Sequence, residues 1–145
     1  DLLIDKNKQE LKQHGNVEFP FRIGYEDIWQ YYNGKFACHW HKEVEFTYVY
    51  QGKMRYQVND KIYELKKGQC LFINANTFHR GEHINKEECK YFCNDFLIYI
   101  FLANEEELIY KKYVLPVIYS KNLSSFVCLP ENKLEKKNNK TSKVY

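Results

Sequence analysis

Three histidines and a glutamate stand out as the residues whose types and spacing can do chemistry. His39, His41 and Glu45 are separated by even numbers of residues, so on an extended chain their side chains point to one face. Two imidazoles and a carboxylate on one face suit a first-row metal ion, and three such ligands with an open position have catalytic rather than structural geometry. The run is Gly34-x4-His39-x-His41-x3-Glu45-x6-Gly52, and a second run, Gly68-x5-Asn74-x-Asn76-x2-His79, brings a third imidazole. Four polar groups inside a small fold must be hydrogen-bonded or ligated, because leaving each unpaired costs about 1–3 kcal/mol. Two uses stay open on the residues alone. One is an internal hydrogen-bond network that contacts a small molecule and requires no cofactor. The other is a divalent transition metal (Zn, Ni, Fe or Mn) held by all four.

The elements that must position this set are mostly strands. Residues 18–28 (EFPFRIGYEDI) alternate as a first strand with Pro20 near its start, and Asn33-Gly34 marks a turn. Residues 43–51 (EVEFTYVYQ) are rich in β-formers. Residues 54–59 and 61–66 read as the arms of a hairpin. Residues 70–74 (CLFIN) follow Gly68 as a short buried strand, Asn74-Ala75-Asn76 is a turn before His79, and residues 91–101 make another aromatic strand. Residues 105–114 (EEELIYKKYV) place Leu108, Ile109, Lys112 and Tyr113 at helical spacing, with Pro116 as the interruption. Residues 125–129 return as a last strand. Residues 1–16 are read as a short helix or a loose arm.

The chain has 145 residues, which fits one domain that buries about 68–70% of its unfolded surface. Its 17% aromatic content argues for a packed, strand-heavy core and against disorder. A net charge of +3 is too mild to indicate nucleic-acid binding by itself. Five cysteines, an odd number at irregular spacing, point to a reducing cytoplasm. No apolar run approaches 18 residues, so no membrane segment is expected. Cys38 and His39 are adjacent, and strand neighbours face opposite ways, which argues against a Cys–His nucleophile. Cys89-x3-Cys93 lacks the paired spacing of a zinc knuckle. Glu43 shares the parity of the set and reads as a salt-bridge partner at the rim; His83 reads as solvent-facing. The aromatic set Trp40, Phe46, Tyr48, Tyr50, Tyr56, Phe72 and Phe78 reads as core, with Tyr48 and Tyr56 as the rings expected beside a bound molecule.

The two histidine blocks resemble the paired motifs of the cupin superfamily. That resemblance implies a mainly β, double-stranded β-helix (jelly-roll) barrel with His39, His41, Glu45 and His79 around its centre. Asn74 and Asn76 stand where the family has Pro and Gly, and His83 where it has Asn. A narrower likeness covers roughly residues 19–130. The run HWHKEVEFTYVYQGKMRYQVNDKIYELKKGQCLFINANTFHR with LIYKKYVLPVIYSKNLSSFVCL is similar to the N-terminal effector-binding domain of AraC-family transcription regulators.

This likeness implies a barrel over residues 17–103 after an arm over 1–16, then a helical dimerisation region and returning strand over 104–130. It implies a small-metabolite effector such as a sugar, and a homodimer contact through Leu108, Ile109, Lys112 and Tyr113. DNA would be bound by a separate C-terminal domain, with residues 131–145 as the start of the linker to it. On this reading the domain is not an enzyme. The competing reading is a stand-alone cupin metalloenzyme, a dioxygenase or isomerase, using the same four residues as ligands.

Overall fold

The structure is a computed structural model and describes residues 2–12, 14–15, 18, 20–97, 108 and 110–128. Period-two alternation of apolar and polar residues becomes seven strands over Phe21 to Phe96, with an eighth near the C-terminus. They are β1 (Phe21–Asp27), β2 (Lys35–His39), β3 (Val44–Val58), β4 (Lys61–Lys66), β5 (Cys70–Ile73), β6 (His79–His83), β7 (Cys89–Phe96) and β8 (Ser125–Cys128). One sheet runs β1-β7-β3-β5-β8, and the second joins β2, β6, β3 and β4. All the pairings are antiparallel.

The 15-residue β3 belongs to both sheets and replaces the two separate strands expected from the sequence. Its first half pairs with β5 and β7, its second with β4 and β6. Between Val49 and Gln51 the register against β7 slips by one residue. Before this bulge the odd positions Glu45, Thr47 and Val49 are buried; after it the even positions Met54, Tyr56 and Val58 are. Inward faces of both sheets supply one core, with Val49, Leu71, Ile73 and Tyr91 from the first and Phe36, Met54, Tyr56, Val58 and Leu65 from the second.

Turns fall where the sequence places them. Asn33 and Gly34 both have positive φ, as does Asn59 at the β3–β4 hairpin. The N-terminal arm, by contrast, is neither helical nor loose. Asp5 Oδ1 accepts from the amides of Asn7 (2.7 Å) and Gln9 (2.9 Å), closing a turn that brings Glu10 back beside Ile4. Gln9 then bridges Trp40, with Glu10 N donating to Trp40 O at 2.9 Å. The arm so extends the sheet just beyond β2.

Residues 105–107 and Ile109 of the helix expected over residues 105–114 lie outside the described residues. The described part is a π-type turn over Tyr110–Val114 leading into α1 (Leu115–Ile118). The helical type changes from π to α at Leu115, beside Pro116, which occupies the first turn of α1. Among the described residues no helix is long and apolar enough to cross a membrane.

The bulge makes a specific demand at Gly52. Its φ is +74°, and a Cβ there would lie 1.8 Å from the Glu88 carbonyl oxygen. Gly68 also has a positive φ, +88°, but a Cβ there meets nothing within 4 Å. Gly52→Ala is therefore expected to lower stability by more than about 2 kcal/mol, and Gly68→Ala by about 1 kcal/mol. Urea titrations of the two variants check this ordering; equal losses would show that the bulge geometry is not limiting.

Candidate functional site

The four predicted residues do converge, but not from one strand. His39 ends β2, the chain bends at Lys42 and Glu43, and Glu45 lies near the start of β3. His79 opens β6 directly opposite His39 in the ladder. All four residues are at most 5% exposed. Their ring centroids are 4.2 Å apart for His39 and His79, 4.9 Å for His41 and His79, and 5.9 Å for His39 and His41.

Each imidazole is oriented by a bond from Nδ1 to a backbone carbonyl two residues away. His39 donates to Ala37 O (2.8 Å), His79 to Thr77 O (2.8 Å) and His41 to Glu43 O (3.1 Å). Fixing the proton on Nδ1 turns the other ring nitrogen toward the centre, the arrangement that sets the tautomer of metal-binding histidines. Asn76, in the turn before His79, has φ +57° and donates its amide to His41 O at 2.8 Å, holding the two histidine segments together.

Glu45 sits under these rings. Its Oε1 accepts from Tyr56 OH (2.7 Å) and from Thr47 Oγ1, while Oε2 faces His41 Nε2 at 3.2 Å and His79 Nε2 at 3.5 Å. Burial pushes this carboxyl up, but the His41 hydrogen bond and the nearby positive charge outweigh it and hold it well below the usual range. Burial likewise opposes the charge on His41, yet Glu45, Asp95 and Glu43 raise it to about 9. Burial dominates at His79 and pushes it down to about 3. It also lowers His39. The resting charge pattern is an imidazolium–carboxylate pair, His41 and Glu45, flanked by two neutral imidazoles.

Among the buried polar atoms described, His79 Nε2 has no hydrogen-bond partner. Its lone pair and the Glu45 Oε2 lone pairs face each other across 3.5 Å. Two acceptors meeting in a buried place call for a cation between them. A nitrogen from each of His39, His41 and His79 lies within 4.8 Å of the others, and His41, Glu45 and Asp95 form a second such group. Neutral imidazoles plus carboxylate are donors that a divalent first-row metal accepts, so the residues present fit a metal.

Five residues of the site were missed from the sequence: Glu10, His14, Arg22, Glu26 and Asp95. Glu10 and His14 come from the arm and the segment behind it, with His14 Nε2 donating to Glu10 Oε2 at 2.9 Å; Glu10 Oε2 in turn lies 3.9 Å from His39 Nε2. Arg22 on β1 donates to Asp95 at 3.1 Å and to Glu26 at 2.7 Å. Asp95 is buried, and burial with the Glu45 charge raises it to about 6. Even spacing on β1 and β7 could have marked Arg22, Glu26 and Asp95 as inward polar residues. Nothing local marks Glu10 or His14.

Above the histidines is a cavity of about 660 Å³, lined by Tyr31, Phe36, Tyr56 and Tyr91, by leucines of the arm, and by the carboxylates of Glu10, Glu26, Glu45 and Asp95. Tyr56 is in the site as expected. Tyr48 is not: it lies before the bulge at a position opposite in parity to Glu45, is 37% exposed, and stacks on Phe92 outside the barrel. Phe72 is buried as expected and makes a tilted contact with half-buried Phe46, apart from the main core cluster. Glu43 is buried, with a carboxylate oxygen 3.5 Å from His41 Nδ1. His83 stacks on Trp29 and accepts from Lys86 N at 3.1 Å, away from the other histidines. Leu108 and Tyr113 are exposed, with Lys112 Nζ 5.1 Å from the Tyr113 ring centre.

Likeness to a known family agrees with this architecture. The family description of the cupin domain matches residues 31–95. A curated relative, the uncharacterized HTH-type transcriptional regulator YdeC of Bacillus subtilis (strain 168), is 33% identical over 123 residues, covering 85% of this chain and 41% of that protein. The chain thus spans less than half the length of that relative. Among solved structures, a cupin-2 domain containing protein from Shewanella frigidimarina is 22% identical, with TM-score 0.45 over 53% of this chain and 71% of that one. A predicted oxalate decarboxylase from Thermotoga maritima is 22% identical, with TM-score 0.41 over 43% and 56%. Two antiparallel sheets around a central histidine site, with the family match lying over that site, make this barrel a cupin fold.

Proposed function

We propose that this chain is the sensing part of an AraC-type transcription regulator, acting in the cytoplasm, in which a small metabolite such as a sugar occupies the barrel cavity. The observation that carries the reading is the cavity itself. Aromatic rings supply flat apolar walls, and a ring of buried, oriented polar groups lies at the base, the composition of a small-molecule site. Likeness to a protein named as a transcriptional regulator supports the regulatory role over a catalytic one. DNA would be bound by another part of the whole protein. An effector can change the behaviour of such a regulator only through a difference in its affinity for two states, so the arm and the C-terminal segment, which border the barrel, are the elements for it to bias.

A divalent transition metal at His39, His41, His79 and Glu45 belongs to this proposal, on the strength of the unpartnered His79 Nε2. Such an ion would offer open positions to oxygen atoms of the effector. The protein's own residues do the rest: backbone carbonyls orient the imidazoles, while Tyr56 and Thr47 hold Glu45. Exposed Leu108 and Tyr113, with Lys112, are the surface proposed for a homodimer.

Elemental analysis after growth in metal-supplemented medium is expected to find close to one transition-metal ion per chain, and His79→Ala to weaken its affinity at least ~100-fold. A metal-free wild-type protein would reject the metal. Thermal-shift screening with sugars and related metabolites is expected to find a ligand whose stabilisation disappears in the His41→Ala/His79→Ala variant; undiminished binding there would remove those residues from the sensor. Leu108→Asp is expected to raise the dimer dissociation constant at least ~10-fold in sedimentation experiments. An unchanged association state would move the interface elsewhere.

A further inference from the structure

Two thiols that the barrel site does not use face one another at the sheet's edge. Cys70 opens β5, Cys128 closes β8, and the two are direct partners in the antiparallel ladder. Residues directly opposite on antiparallel strands have Cα atoms about 4.5–5.5 Å apart, within the span of about 4.4–6.8 Å that a disulfide bridges. Their strand neighbours Leu71 and Val127 pack into the core, so both cysteines lie on the outer face, partly exposed and within reach of a small reagent. Cys128 is the side-chain neighbour that, after burial, raises the Cys70 thiol. The other cysteines have no such partner in register: Cys93 lies opposite Gly24 and Thr47, and Cys89 opposite Gly52.

We propose that Cys70 and Cys128 are a reversible cross-strand disulfide site for a small disulfide oxidant of the glutathione class. One thiol loses its proton and its sulfur attacks the oxidant's disulfide, expelling one reduced glutathione thiolate. The second thiol, deprotonated in turn, attacks the mixed disulfide and expels the other glutathione thiolate. The protein dithiol is thereby oxidised by two electrons, the oxidant becomes two reduced glutathiones, and reduced glutathione in excess runs both steps backwards.

The consequence lies in the topology. Among the described residues β8 lies at the edge of the sheet, with β5 as its only partner. Phe72 packs on Phe126, Tyr63 OH lies 2.8 Å from Ser125 Oγ, and Asn74 Nδ2 donates to Val117 O and Leu123 O at 2.8 Å each. The β5–β8 pair is thus where the segment after the barrel is fastened down, and the disulfide would fasten it covalently. Burial and the neighbouring Cys128 push the Cys70 thiol up to about 11, so thiolate is scarce at neutral pH and exchange is slow. The pair would respond to sustained oxidation, not to a brief pulse. None of this depends on what the barrel binds.

The test incubates the chain at pH 8 in glutathione buffers running from fully reduced to fully disulfide, followed by alkylation and peptide mapping by mass spectrometry. A Cys70–Cys128 linked peptide and a loss of about 2 Da are expected, reversed on return to reduced glutathione. An accompanying rise in Tm of about 5–10 °C is expected. Cys38→Ser should retain all three signals, while Cys70→Ser and Cys128→Ser should lose them. Thiols that stay reduced in the fully disulfide buffer, a link through another cysteine, or a glutathione adduct that never resolves into the bridge would each overturn the proposal.

Discussion

A carboxylate buried as completely as Glu45 has to be neutralised where it sits, and much of this barrel is arranged around that requirement. Stripping one partner from a buried ion pair typically costs about 3–5 kcal/mol. Glu45 therefore draws on Tyr56 from beyond the bulge, Thr47 from its own strand, His41 from the preceding bend and His79 from the opposite sheet. Those partners come from β3 and β6 and from the link between β2 and β3, so the two sheets cannot drift apart without exposing the charge. Burial also explains why two of the three histidines stay neutral. At His39 and His79 desolvation outweighs the pull of the nearby carboxylates, and only at His41 do the Glu45 hydrogen bond and the charges of Glu45, Asp95 and Glu43 prevail over it. A divalent ion would change the balance by displacing the His41 proton and giving His79 Nε2 the partner it lacks.

Getting Tyr56 to Glu45 is a matter of strand parity. Eleven residues separate them, an odd number, so on a regular strand they would face opposite ways. The extra residue at Tyr50 corrects this, and Gly52 accepts the backbone conformation that the correction imposes. The bulge also lets β3 pass from one sheet into the other. One irregularity thus supplies both the corner of the barrel and a hydrogen bond that holds its central carboxylate.

This is also the boundary of what could be read from the sequence. His39, His41, Glu45 and His79 were legible because residue type and short spacing carry the signal, and the strands because alternation survives in each. Tyr48 and Tyr56 share a parity in the sequence and were grouped together, yet the bulge sends Tyr56 in and leaves Tyr48 out. Glu10 and His14 were illegible for a different reason. They reach the site through the arm's pairing with Trp40, a contact between segments about thirty residues apart that no local pattern encodes.

Asn74 and Asn76, which stand where the resembled family has Pro and Gly, look from the sequence like the decay of a binding block. Their geometry argues otherwise. Asn76 adopts the positive φ that glycine would otherwise supply, which asparagine tolerates better than most residues, and uses its amide to tie the His79 loop to His41. Asn74 is buried and spends its side-chain donors on Val117 O and Leu123 O, so the turn that delivers His79 also carries the C-terminal segment. A proline there could neither donate from its side chain nor offer the backbone N–H that bonds Ser124 O. The substitution thus couples the floor of the site to the segment that leaves the barrel. In the proposed sensor, that link is the path from the cavity to the C-terminal segment.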